Sequence, residues 1–407
     1  MTVEQPVELV FNPFDPDHIA NPYQQYARLR EESPVHRTVI GPWLLTRYED
    51  VVHVLRDQSL SVEEHRAAPS PLRDARQEKL GERSGGSRAI LNIDNPDHDR
   101  LRRLVSKAFT PKVVAELRPL AERLVAEALD AVEPRGEMDV IADLAFPLPF
   151  TVISEMLGMP TERRDDLRTW SHAVVKTLDP IVSDEEVDAA IAGADAMTEY
   201  VREVIAAKRR APQDDLLTAL IRAEDEGTVL DEQELLDQVI LLYIAGHETT
   251  VNLIGNATYA LLRHPDQAER LRTEPEIEQN AVEELLRFDS PVQFSRRITL
   301  QDLEIGGVTI EAGSFILTCL GAANHDPEHW GPSADALDLG RTGAAAHLSF
   351  GSGIHHCLGA ALARIEGRAA LSALVRRFPE MRLVDEPPAW NGRIVLRGLD
   401  RLPVTLG

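Results

Sequence analysis

A single helical run dominates the chain. Asp231 and Glu234 have the spacing of a capping box, in which the two side chains reciprocally satisfy backbone N–H groups at a helix start. A helical pattern follows to about Arg263, just ahead of Pro265. At roughly 1.5 Å per residue that is about 50 Å, long enough to cross a whole domain. From Val239 to Leu262 the run is apolar enough to raise the question of a membrane, but His247 and Glu248 sit near its middle. A charge at that depth costs about 2.5–3.5 kcal/mol on insertion scales. The pattern predicts a buried helix in a soluble protein.

The middle of this helix reads Ala245-Gly246-His247-Glu248-Thr249-Thr250, set between Leu241-Leu242 and Val251. Polar groups there are expensive to bury unless they are satisfied or used. Gly246 leaves a carbonyl approachable, and Thr249 can divert a backbone hydrogen bond and locally widen the helix. Read generically, the cluster is a kink or a solvent-facing patch.

With 407 residues, a ratio of roughly 150 residues per domain suggests two or three domains. Yet no repeat, low-complexity tract or Gly/Ser linker cuts the chain. The 43 Lys+Arg against 67 Asp+Glu leave a net charge of −24, which argues against a general nucleic-acid or anionic-membrane surface but leaves room for a local basic patch. Two cysteines, Cys319 and Cys357, exclude a disulfide framework and suit the cytosol. Met1 to Phe14 carries Glu4 and Glu8 and no basic-then-apolar secretion pattern.

Periodicity predicts a mainly α protein with small β-sheets to one side. Helices are expected at Asn21–Glu32 and Tyr48–Asp57, with a strand pair over Val39–Thr46 turning at Gly41-Pro42. The mixed N-terminal part runs to about residue 95. Ser61–Asp94 is a long Arg-, Ser-, Pro- and Gly-rich loop, of a length that suggests function. A helical core follows over about 96–290. Arg297–Ile310 alternates around Gly306-Gly307 as a hairpin, Phe315–Leu320 is a buried strand, and Leu358–Phe378 is a helix before a strand-like tail.

The most informative short stretch is Phe350-Gly351-Ser352-Gly353-Ile354-His355-His356-Cys357-Leu358-Gly359. Two glycines permit turns that a Cβ would hinder and close approach to a flat ligand. The cysteine falls where a helix begins, and free N–H groups with the helix dipole favour a thiolate there. A shielded thiolate is a good soft ligand for iron. One cysteine without a second thiol nearby fits neither a zinc finger nor an iron–sulfur cluster. The bland reading is a structural cysteine beside a Gly-rich turn.

The whole stretch, however, resembles the haem-binding signature of the cytochrome P450 superfamily, Phe-Gly-x-Gly-x-His-x-Cys-x-Gly, at every fixed position: Phe350, Gly351, Gly353, His355, Cys357 and Gly359. The resemblance implies a cytochrome P450 fold, one domain over 1–407 with haem b between the long distal helix and the proximal loop 350–359. It makes Cys357 the metal ligand and His355 a propionate partner, while Cys319 fills core. Ala245-Gly246 with Glu248-Thr249 is similar to the family's element over the haem, which gives Glu248 and Thr249 the catalytic task of delivering protons to oxygen. His98 and Arg102, four apart on one helical face, resemble a haem-propionate clamp; Arg297 matches another propionate-binding arginine, with Arg296 as the alternative. Glu284 and Arg287 match a fold-locking Glu-x-x-Arg pair. Its usual third partner, an arginine, would fall at Ala336, a departure from the pattern.

The same resemblance implies a haem-thiolate monooxygenase of soluble, actinobacterial type, hydroxylating or epoxidising a small hydrophobic substrate in secondary metabolism. Dioxygen would be the co-substrate and a ferredoxin, fed by its reductase, the electron donor. Arg364 and Arg368, joined by Arg103 and Lys107, would form a local docking face. By analogy the pocket is lined by the Ser61–Asp94 loop, Leu241, Leu242, Val292, Gln293, Phe294, Ile394 and Val395, with Leu167–Tyr200 as lid; macrolide, steroid, terpene and fatty-acid-like substrates are compatible. The chain is expected to be a cytoplasmic monomer with no membrane anchor and no nucleic-acid partner. Two other readings remain: a peroxide-driven peroxygenase, which the Glu248-Thr249 pair disfavours, and a non-catalytic haem sensor or carrier, which has no need of that pair.

Overall fold

The structure is a computed structural model and describes residues 10–70, 79, 87–225, 230–384 and 388–407. Much of the Ser61–Asp94 loop (71–78 and 80–86) and the start of the chain therefore lie outside the described residues. In chain order the main helices are α1 (Tyr23–Glu32), α2 (Tyr48–Arg56), α3 (Asp97–Val105), α4 (Pro111–Val132), α5 (Pro147–Leu157), α6 (Arg164–Lys176), α7 (Asp184–Arg210), α8 (Glu232–Arg263), α9 (Glu278–Phe288) and α10 (Ala360–Arg377). The strands are β1 (Val35–Arg37), β2 (Trp43–Leu45), β3 (Glu137–Asp139), β4 (Phe294–Ile298), β5 (Leu303–Ile305), β6 (Val308–Ile310), β7 (Phe315–Cys319), β8 (Arg382–Leu383), β9 (Ala389–Trp390), β10 (Leu399–Arg401) and β11 (Pro403–Thr405).

The largest sheet has the order β1-β2-β7-β4, with β2 parallel to β7 and the other pairs antiparallel. The expected strand pair over Val39–Thr46 is displaced. Its first strand is β1, because Thr38 donates through both N–H and Oγ1 to the Pro42 carbonyl and closes the turn around Val39, which is 75% exposed. The Arg297–Ile310 alternation also divides. Its first residues belong to β4, which pairs with β7, whereas the hairpin is only β5–β6, turning through positive φ at Gly306 and Gly307.

Helix α8 is capped as its sequence predicts: the Asp231 carboxylate accepts the Glu234 N–H at 2.8 Å and the Glu234 carboxylate accepts the Asp231 N–H at 3.0 Å. Residues on most of its sides are buried, in contact with α5, α7 and α10. Such all-round burial makes its sequence nearly continuous in apolar character. Glu234 also accepts from Arg88 at 2.9 Å and Arg100 at 2.7 Å, tying the segment that carries α3 to the start of α8. Among the described residues no helix is long and apolar enough to cross a membrane.

Glu284 and Arg287 are both fully enclosed, joined by two hydrogen bonds of 2.7 and 2.9 Å. Their third partner is Arg341, whose Nε lies 3.0 and 3.1 Å from the two Glu284 oxygens. This corrects the expectation that the partner's place is Ala336. That residue contributes only its carbonyl, which accepts from Arg287 and Arg341 at 2.9 Å each. The guanidinium reaches in from five residues further along, so a side-chain slot at 336 is unnecessary.

Candidate haem site

The loop before α10 is shaped by two glycines with positive φ, Gly351 (67°) and Gly353 (71°). At Gly353 a Cβ would also stand 2.5 Å from the Leu55 carbonyl of α2, so this glycine seats the loop against α2. Gly359, at φ −84°, caps α10 without such a demand. The Cys357 N–H donates to the Phe350 carbonyl at 2.9 Å and fixes the cysteine in the loop. The residue is exposed, although the protein packed around its sulfur still desolvates the thiol. The expected thiolate preference is corrected for the free thiol: burial raises its pKa overall, although the Gly359 and Ala360 N–H groups, Arg102 and Arg364 all oppose that rise. Helix-start donors thus reduce a penalty that they do not overcome. A bound metal deprotonates a coordinating thiol outright.

On one side of this loop, imidazole and guanidinium groups converge. The His98 and His355 rings lie 4.5 Å apart, and Arg102 donates to the His356 carbonyl at 2.6 Å. Buried Arg297 donates to the carbonyls of Arg296 (2.7 Å) and Leu55 (3.4 Å), and burial lowers its pKa to about 10. The His355 pKa is lowered to about 3 by burial, then by Arg297, His98 and Arg102. Among the described residues neither Arg102 nor Arg297 has a carboxylate within ion-pair distance, and the Nε2 of buried His98 has no hydrogen-bond partner. Buried cations without anions are costly. This donor set would suit the two carboxylates of a haem held by Cys357. Arg296, the alternative to Arg297, turns instead to Glu64 and Asn92, at 3.2 Å each.

Across the fold, Ala245 is exposed and Gly246 and Thr249 are half-buried in an otherwise enclosed turn of α8. Thr249 Oγ1 donates to the Ala245 carbonyl at 3.1 Å, yet the helix stays α-helical throughout. Gly246 serves packing: a Cβ there would stand 2.6 Å from Ile153 on α5. Glu248 is buried between Arg393, whose Nη1 donates to Oε2 at 3.1 Å, and His172, whose Nε2 lies 3.3 Å from Oε1. Burial opposes ionisation of the carboxyl, yet His247, His172 and Arg393 together keep it below the usual range. Sequence reasoning missed Arg393 and His172. Their separation from Glu248 in the chain gave no signal.

The expected pocket residues divide. Leu241, Val292 and Val395 are half-buried beside the main core, and Leu242 is buried within it. Phe294 and Ile394 pack instead with Phe11, Tyr26, Leu29 and Leu44. Gln293 is almost wholly enclosed and donates to the Ser290 carbonyl at 2.7 Å. Phe294 meets the N-terminal cluster from the start of β4 and Ile394 meets it from the C-terminal loop, a placement that composition does not reveal. The expected lid is α6, α7 and their connection, where Asp179 accepts the N–H groups of Ile394 (3.0 Å) and Val395 (2.8 Å). Of the expected docking cations, Arg103 and Lys107 are exposed, and Arg368 is half-buried. Arg364 is held by Glu283 at 2.6 and 3.0 Å and lies over the Phe350 ring. Cys319 is fully buried, as expected of core filling.

A thiol in a positive-φ glycine loop, two guanidinium groups beside it and a long helix with an open central turn are the arrangement that haem-thiolate chemistry would require. The cytochrome P450 family model matches residues 4–397, and the chain belongs to that family. It is 43% identical to cytochrome P450 107B1 of Saccharopolyspora erythraea, over 97% of each chain. Its fold is similar to that of myxobacterial cytochrome P450 CYP267B1 in complex with myristic acid, with a TM-score of 0.90 at 38% identity, covering 97% of this chain and 98% of that one. It is also similar to P450BioI in complex with a hexadec-9Z-enoic acid-ligated acyl carrier protein, with a TM-score of 0.88 at 36% identity, covering 96% and 99%. The protein is a cytochrome P450 monooxygenase, an enzyme whose cofactor is haem iron.

Proposed function

We propose that the chain, working as one domain and as a cytoplasmic monomer, hydroxylates or epoxidises a small hydrophobic substrate with electrons from a ferredoxin and its reductase. The carrying observation is the convergence beside Cys357 of Arg102 and Arg297, neither facing a carboxylate among the described residues, with the imidazoles of His98 and His355. In this reading Cys357 holds the iron and these side chains hold the propionates. Bound haem supplies the capacity to activate dioxygen. Leu241, Val292 and Val395 offer apolar surface to the substrate and exclude water. Glu248 and Thr249 move protons inward from the solvent side, a task for which a hydroxyl and a carboxylate in a dry site are suited. The myristic acid and acylated carrier protein in the similar structures support a long apolar substrate.

The reduced carbon monoxide complex of the holoenzyme is expected to absorb at the long wavelength of thiolate ligation, and Cys357→Ser to abolish that band. Persistence of the band would refute the ligand assignment. A spin-state screen across fatty acids, steroids, terpenes and macrolides identifies the substrate class, and turnover with and without ferredoxin tests the donor. Peroxide-driven turnover exceeding electron-driven turnover would favour a peroxygenase.

A further inference from the structure

His247 stands beside the proposed acid and was given no role by sequence. It is fully buried in an aromatic cage, with ring centroids of Phe146, Phe150 and Tyr243 at 6.0, 5.9 and 5.7 Å. Its Nδ1 lies 2.7 Å from the Tyr243 carbonyl, which only accepts, so Nδ1 carries the hydrogen. In the neutral ring Nε2 is then a bare acceptor. It has no hydrogen-bond partner and lies 3.8 Å from Glu248 Oε1, a second buried polar atom without a partner of good geometry.

The other side of Glu248 is already committed. Arg393 donates to Oε2 through Nη1, while its Nη2 lies 2.9 Å from His172 Nδ1. That contact leaves the hydrogen of neutral His172 on Nε2, which approaches Oε1 at 3.3 Å off good geometry. Two opposed lone pairs in a dry pocket are unfavourable, and a single proton placed between them turns the repulsion into a charge-assisted hydrogen bond.

We propose that His247 is the positioning residue that loads Glu248: its Nε2 and the Oε1 of the carboxylate hold one proton between them, and this is the proton that Glu248 passes toward Thr249. This rests on the reading of Glu248 as a proton donor. The step is balanced: the one shared proton leaves through Oε1 toward Thr249, the bond that held it breaking as one forms at the acceptor, and the emptied pair takes one proton from bulk water. The groups that set the titration are Glu248 and Tyr243 on α8, Arg168 and His172 on α6, and Arg393 in the C-terminal loop. Burial and Arg168 lower the basicity of His247, while Glu248 and the Tyr243 carbonyl raise it.

The test is ¹⁵N-histidine NMR of the diamagnetic ferrous carbonyl holoenzyme, with His247 assigned by loss of its signals in His247→Gln. Protonation at Nε2 is expected in the wild type as pH falls, with a midpoint that Glu248→Gln moves down by roughly 1–3 pH units through loss of the facing anion. An Nε2 that stays unprotonated from acid to alkaline pH, or a midpoint indifferent to Glu248→Gln, would overturn the proposal. Coupling of electrons to product is then compared, with myristic acid as probe substrate. Glu248→Gln, His247→Phe and His247→Gln are each expected to lower coupling severalfold. Unchanged coupling in Glu248→Gln would sink the donor reading itself, leaving the NMR midpoint to decide the His247–Glu248 pair. Loss of coupling in Glu248→Gln but in neither His247 variant would sink the His247 role alone. Full rescue by His247→Gln, which keeps an N–H group but carries no proton, would reduce His247 to packing.

Discussion

The Nε of Arg341 lies 3.0 Å from Oε1 of Glu284, and Arg287 grips the same carboxylate from its own helix. Arg341→Met leaves the carboxylate to Arg287 alone and deprives it and the Ser333 and Ala336 carbonyls of buried donors. It is expected to destabilise the holoenzyme by about 1–3 kcal/mol. Ala336→Ser, which leaves the accepting carbonyl in place, is expected to be within about 0.5 kcal/mol of wild type. Thermal unfolding of the two variants side by side checks the assignment; equal losses would refute it.

Gly353 combines positive φ with a close approach to Leu55. Gly353→Ala is expected to cost at least about 1–3 kcal/mol from backbone strain alone and to lower haem content. Gly359→Ala, with no backbone or side-chain obstacle nearer than 4.0 Å, is expected to be milder. Haem-to-protein absorbance ratios and melting curves distinguish the two.

Arg297 and Arg296 are adjacent but serve different places. Arg297→Gln is expected to weaken haem retention by about 1.5–3 kcal/mol, roughly tenfold or more in dissociation rate. Arg296→Gln loses contacts to Glu64 and Asn92 instead and is expected to leave that rate nearly unchanged. Haem transfer to an apoprotein acceptor measures both, and the reverse ranking would transfer the propionate role to Arg296.

Glu283 binds His347 at 3.1 Å and Arg364 at 2.6 Å. Burial works against its ionisation, yet these partners pull its pKa from the ordinary 4.5 down to about 2. Because the folded pKa is the lower one, the carboxylate adds stability above pH 4.5, and this is lost as pH falls toward 2. The gap in stability between wild type and Glu283→Gln is therefore expected to shrink across that window. A gap constant with pH in denaturant titrations would show that the ion pairs contribute nothing there.

The chemistry was legible because it is local. The run from Phe350 to Gly359 carries its proposed ligand, turns and helix start within ten positions, and the Asp231–Glu234 cap and Gly306-Gly307 turn were equally readable. Local hydrogen bonds and permitted φ values fix such features whatever surrounds them. Partners distant in the chain were not legible. Arg341 on Glu284, Arg393 and His172 on Glu248, and Ile153 against Gly246 each join segments that only packing brings together. The facing of Phe294 and Ile394 toward the N-terminal cluster depended on the same packing. By itself the sequence determined the family and the long helix at the centre of the fold. Tertiary structure decided which charges meet, because burial makes an unpaired charge costly and leaves its partner to whichever segment the fold carries within reach.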